Sequence, residues 1–290
     1  MEIITTIING LSLGGIYAMI ALGYTMVYGI AKMLNFAHGD IIMAGAYAIF
    51  VFFNMTGHPV IAIVCAIVIC VIIGVSIEKL AYKPLRGASP LAVLITAIGM
   101  SYLLQSLAQI IFGSAPKMVI MGDLGVTTIG SLRIQNYTLI TLVCAIIVMV
   151  ALTLFVKFTN TGRAMTAVSE DKGAAQLMGI NVNKIISITF AIGSSLAALA
   201  GLFYLLKAPS VIPTLGAMPG IKAFTAAVIG GIGSIPGAMV GGFLLGIIEC
   251  IVNALPGISP YVDAIEFAIL IIILLVRPTG ILGKVRREKV

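Results

Sequence analysis

Runs of about twenty residues with scarcely a charge between them recur along almost the whole of this chain. Nothing constrains its fold more. Hydrophobic residues make up 60% of the sequence and charged residues only 9%, and no globular interior of ordinary size hides that much hydrocarbon. Lipid is therefore the solvent for much of this surface. A segment spanning lipid has to satisfy its own backbone hydrogen bonds, so the runs read as helices. At the length a span requires, they lie at about 3–30, 36–54, 60–82, 90–112, 138–158, 184–206, 216–232, 236–254 and 262–277. The seventh and eighth are short and Gly-rich and read as half-helices or a re-entrant pair. The expected fold is an all-α integral membrane protein, one domain over residues 1–290. It is a polytopic bundle of about 8–9 transmembrane helices with broken or re-entrant segments.

Orientation follows from Lys and Arg, which favour cytoplasmic loops. One arrangement puts 13 of the 17 basic residues inside: Lys32; Lys79, Lys83 and Arg86; Lys157, Arg163, Lys172 and Lys184; and Arg277, Lys284, Arg286, Arg287 and Lys289. It leaves Lys117, Arg133, Lys207 and Lys222 outside. The N-terminus is then expected outside and the C-terminus in the cytoplasm. Met1 to Thr5 lacks a basic n-region, so the first span is expected to act as its own insertion signal. The net charge of +7 sits at the ends of apolar segments, which points to anionic lipid as a partner and not to nucleic acid. Cys65, Cys70, Cys144 and Cys250 lie inside apolar runs and read as small core residues.

Two loops stand out. Residues 113–137, expected outside, mix Gly, Pro, Asp and Thr. Residues 159–183, expected in the cytoplasm, form the polar island TNTGRAMTAVSEDKGAAQLMGINVN. There Ser169 is expected to cap a helix, with Glu170 and Asp171 in its first turn and Gly179 ending it in a left-handed conformation. A shorter helix capped by Thr161 is expected before it, and Asn183 is expected to cap the next span. Met165 and Met178 are expected on an exposed face suited to a partner's groove.

Several motifs, in order, resemble the permease subunits of branched-chain amino acid ABC importers. They are Gly14-Gly-Ile-Tyr17-Ala-Met-Ile-Ala-Leu-Gly23; Leu34-Asn-Phe-Ala-His-Gly-Asp40; Gly162-Arg-Ala-Met165 with Ala167-Val-Ser-Glu170 and Met178-Gly-Ile180; Lys222 through Ala238; and Arg277-Pro-Thr-Gly-Ile-Leu-Gly283. The resemblance implies that residues 159–183 are the ATPase-coupling loop, with Gly162, Arg163, Ala164, Met165, Ala167, Glu170, Asp171, Ala174, Met178 and Gly179 as its contact residues. It further implies two ATP-binding subunits, a second permease subunit (related or identical), an extracytoplasmic amino-acid-binding protein and a bacterial inner membrane. The chain carries no GxxxxGK[ST] run, so ATP is expected on those other subunits and no cofactor on this one. His38 and His58 are too scattered for a metal site.

Ionisable and broken positions inside the spans are the candidates for a translocation path or gate. They are Asn35, His38, Gly39 and Asp40 at one break, Gly230, Gly231, Gly233, Ser234 and Pro236 at another, and Glu249 within the eighth span. A helix cap is the competing reading of Asp40 and Asn35. Glu249 is expected either to pair with Lys222 or to face a wet cavity, while Glu266 and Asp263 are expected to be solvated at the membrane edge and Lys222 to snorkel. An importer of urea or short amides is a rival reading, as is an ion-coupled transporter built on Asp40, Glu249 and Lys222.

Overall fold

A computed structural model describes residues 2–122, 124–129 and 132–283. Four basic residues used above for orientation, Lys284, Arg286, Arg287 and Lys289, lie outside the described residues. The chain is an all-α polytopic membrane protein. Its helices are α1 (Glu2–Ala31), α2 (His38–Thr56), α3 (Pro59–Ile77), α4 (Pro90–Phe112), α5 (Asn136–Phe158), α6 (Asn160–Glu170), α7 (Lys172–Leu177), α8 (Val182–Lys207), α9 (Ala217–Gly230), α10 (Ile235–Ala254) and α11 (Val262–Val276). Among the described residues, eight helices are long and apolar enough to cross a membrane. The starts are written locally. Prolines occupy the first turn of α3, α4 and α10, where their missing N–H costs nothing. Ser89 and Ser234 cap the latter two, accepting from Ala92 and Gly237 N–H at 3.3 and 3.2 Å.

α1, α2, α8, α9 and α10 pack together at the centre. α3, α4, α5 and α11 carry apolar side chains outward, among them Val68, Ile72, Ile95, Ile110, Ile147, Leu154 and Leu275. Lipid is the natural neighbour of that surface. The closest pairing joins α1 to α10. A Cβ added at Gly10 would lie 2.8 Å from the Ile247 backbone, and one at Gly14 would lie 2.6 Å from the Phe243 backbone. Ala18 in turn faces Gly242. Small residues every fourth position let these two backbones touch. Gly201 approaches Ile42 on α2 in the same way, so these stripes serve packing within the subunit.

The expected pair of short segments is corrected to a single one. α10, at 20 residues, is of spanning length, whereas α9 has 14. The chain reaches α9 through β4 (Ser210–Val211), which pairs antiparallel with β1 (Lys117–Met118) in the 113–137 loop. That loop also holds the hairpin β2 (Val126–Ile129) and β3 (Leu132–Gln135), in register Thr127 with Ile134. α9 then begins against the start of α2. A Cβ at Gly39 would sit 2.5 Å from the Gly216 carbonyl oxygen. Two helix starts therefore meet inside the bundle.

Candidate functional site

The polar island folds into α6 and α7, but its caps are not those expected from the sequence. Thr159 caps α6, accepting from Gly162 N–H at 3.0 Å. Asp171 caps α7, accepting from Gly173 and Ala174 N–H at 2.7 and 2.9 Å. Asn181 caps α8, accepting from Lys184 N–H at 3.0 Å. Ser169 and Glu170 instead belong to the last turn of α6, where the Ser169 hydroxyl donates to the Thr166 carbonyl. The sequence contains several short polar residues in each capping window. Which one caps depends on where the preceding helix ends, and α5 runs on to Phe158. Gly179 does adopt the left-handed conformation, at φ +82°. Replacing Asp171 by Ala is expected to cost about 1 kcal/mol locally. Amide exchange over 172–178 should accelerate while the global unfolding temperature stays put.

Exposure within the excursion is uneven. Met165 is buried, at 1% exposure, which corrects its expected place on the outer face. With Gly162 and Val168 it forms the inward stripe of α6. Leu177 and Met178 are 90% and 83% exposed, and Ala174 and Gly179 lie beside them on the open side. The outer tip is thus apolar, short and unshielded. Arg163 is also exposed and donates to the Phe158 carbonyl at 3.3 Å.

A cavity of about 880 Å³ lies behind α6. Met165 and Glu170 line it from the excursion, Tyr28 from the end of α1, Lys32 from just beyond it, and Gly233, Ser234 and Pro236 from the α9–α10 turn and the first turn of α10. The fold thus joins two groups of residues that the sequence separates widely. Gly230 and Gly231 lie behind the same turn, against the C-terminal motif: Ile281 and Leu282 donate to the Ile229 and Gly230 carbonyls at 2.9 Å each. Gly231 and Gly233 have φ of +110° and +94°, conformations that L side chains resist.

Asn35, His38, Gly39 and Asp40 lie elsewhere, at the start of α2. Asp40 is buried and accepts from Gln105 Nε2 of α4 at 2.9 Å. From the first turn of α2 it reaches across to another helix. His38 is buried edge-on to Tyr24 with ring centroids 4.8 Å apart. Asn35 accepts from the Tyr82 hydroxyl at 2.9 Å.

A third group surrounds Lys222 of α9. Its ammonium lies 3.1 Å from Glu249, 2.8 Å from Asp263 and 3.2 Å from Glu266. Tyr17 donates to Glu249 at 2.7 Å. The pairing with Glu249 agrees with one of the two expected environments. The solvated reading of Glu266 is corrected, since it is 0% exposed. Snorkelling of Lys222 is corrected too, since it is 7% exposed. A carboxylate buried at that depth requires a partner, and the fold supplies the one cation on α9.

Glu78, Arg86, Ser187 and Lys172 are among the residues not proposed from the sequence as site residues. Glu78 is fully buried and takes Arg86 as its ion-pair partner. The Ser187 hydroxyl also donates to Glu78, at 2.7 Å. Arg86 additionally donates to Asn183. Lys172 donates to the Ala31 carbonyl at 2.8 Å, and burial, with the Arg86 charge nearby, lowers its pKa from the usual lysine value. Glu78 and Arg86 are eight residues apart, but Asn183, Ser187 and Ala31 are distant in sequence from the residues they meet, so no local pattern marks the whole group.

The family described as "Branched-chain amino acid transport system / permease component" matches residues 6–274. The chain is 44% identical to the high-affinity branched-chain amino acid transport system permease protein LivH of Escherichia coli K12, over 97% of this chain and 96% of that protein. It is 43% identical to BraD of Pseudomonas aeruginosa, over 98% and 97%. Among solved structures, PsaBC from Streptococcus pneumoniae in complex with Fab aligns at 16% identity and TM-score 0.46, covering 96% of this chain and 91% of that one. That likeness is too distant to bear on mechanism. An identity above 40% along nearly the whole length, together with a family match over 6–274, makes this chain a member of the branched-chain amino acid transport system permease family.

Proposed function

We propose that this chain is the transmembrane permease subunit of an ABC importer, carrying branched-chain amino acids inward on the energy of ATP hydrolysed by two separate ATP-binding subunits. A second permease subunit, related or identical, completes the pathway, and an extracytoplasmic binding protein delivers substrate to it. The N-terminus lies outside and α6–α7 lies in the cytoplasm, consistent with the bias of Lys and Arg toward that side. The observation that carries the coupling role is the bare apolar tip of α7. Leu177 and Met178 project from a helical excursion whose inner face packs on the bundle through Met165 and Val168. An apolar helical tip exposed to water suits a groove on a partner.

The test is Leu177→Glu in the assembled transporter. A charge placed in an apolar groove is expected to weaken ATPase-subunit association by about tenfold or more and to reduce leucine uptake with it, while membrane insertion stays normal. Co-purified ATPase subunit and radiolabelled leucine uptake in proteoliposomes are the two readouts. Undiminished association and uptake would refute the docking assignment.

A further inference from the structure

The non-helical segment between α1 and α2, residues 32–37, is gripped from two sides by the structure around the coupling excursion. On one side Lys172, the first residue of α7, donates to the carbonyl of Ala31, the last residue of α1, at 2.8 Å. Carbonyls at a helix C-terminus have no partner of their own helix, and a cation there is favourable. On the other side the contacts begin at α8, which directly follows the excursion. Asn183 accepts from Arg86, and Ser187 donates to Glu78. Arg86 and Glu78 form an ion pair. Glu78 opens a π-helical turn that ends at Tyr82, and π turns inside helices tend to mark functional positions. The Tyr82 hydroxyl donates to Asn35 Oδ1 at 2.9 Å, with the Leu34 carbonyl 3.4 Å away. One arm therefore ends on the residue that precedes this segment and the other within it, at Leu34 and Asn35.

The segment is strained at its start. Its first residue, Lys32, has φ +60°, an unfavourable conformation for a side-chain-bearing residue. Its far end leads into His38, Gly39 and Asp40, where the start of α2 meets Gly216 at the start of α9.

We propose that residues 32–37 are the element through which the ATPase stroke reaches the translocation path, with Lys172 and Tyr82 as the positioning residues that deliver it. This rests on α6–α7 being the coupling element. Displacement of α7 pulls on the end of α1 through Lys172, and displacement of the α8 start pushes on Asn35 through Arg86, Glu78 and Tyr82. The α2 start, fixed to the far end of the segment, changes its seat against α9.

The experiment measures leucine taken up per ATP hydrolysed, using the full transporter in proteoliposomes. Lys172→Met and Tyr82→Phe remove one arm each with little change of shape. Each is expected to lower the ratio about tenfold, with ATP hydrolysis and subunit co-purification retained. Lys172→Arg, which keeps a cationic donor, is expected to retain the wild-type ratio, an outcome that simple bracing of the fold does not predict for a ratio. The double variant should fall short of the product of the two single effects, because both arms act on one element. A Leu177→Cys crosslink to the ATPase subunit separates the two levels of the argument. Crosslinking with an unchanged ratio in both single variants overturns the role of 32–37 alone. Absence of the crosslink overturns the coupling assignment, and this proposal with it.

Discussion

Lys222→Met destabilises the protein by about 3–5 kcal/mol, read as a lowered unfolding transition in nanodiscs. The change conserves volume and apolar reach, so the loss isolates the charge. Lys222 is the cation shared by Glu249, Asp263 and Glu266. Asp263 is half exposed and can turn to water, whereas Glu266 is fully buried and depends on the ammonium. Adding Glu249→Gln and Glu266→Gln to Lys222→Met is expected to restore most of the stability, because neutral amides no longer demand a counter-charge. A Lys222→Met protein within about 1 kcal/mol of the original would show that the cluster does not depend on its cation.

Gly14→Leu is expected to cost about 3 kcal/mol or more by forcing apart α1 and α10. The first carbon of any side chain at position 14 meets the Phe243 backbone at 2.6 Å and the Gly242 carbonyl at 2.9 Å. Backbone cannot swing aside as a side chain does. Gly99→Leu is the control. It sits at an equally helical position in α4 where an added Cβ meets nothing within 4 Å, so it should be well tolerated. Folded yield and unfolding temperature of the two variants should differ widely, and equal behaviour would remove the seam from the account of stability.

Much of this architecture is legible in the sequence because lipid imposes a simple rule. A span must be helical, long and apolar, and the observed helices begin and end within a few residues of the runs. The α1–α10 seam is legible as well, since glycines at four-residue spacing mark a face that permits close approach. The excursion at 159–183 stands out by its polarity alone. Its internal caps do not, because Thr159, Thr161, Ser169 and Asp171 all have the chemistry to cap. Met165 shows a similar limit: which side of a short helix faces the bundle depends on how its neighbours pack.

The charged residues mark the boundary more sharply. A carboxylate at position 266 of an apolar helix announces that it requires something, but not what. Solvent, a cavity and a lysine more than forty residues earlier satisfy that requirement equally well on paper. Only the packing of α9 against α10 and α11 brings Lys222 to all three carboxylates. The same holds for Glu78 with Ser187, for Asp40 with Gln105, and for Lys172 with the end of α1. By itself the sequence determined the solvent, the helical class, the number of long spans to within one, and the family. The tertiary structure decided which buried charges neutralise one another, which face of the excursion is bare, and that Lys172 meets the end of α1 while Tyr82 meets Asn35. The physical reason is range. Periodicity and capping act over a few residues, whereas a buried polar group is satisfied by whatever the fold places about 3 Å away, however distant along the chain.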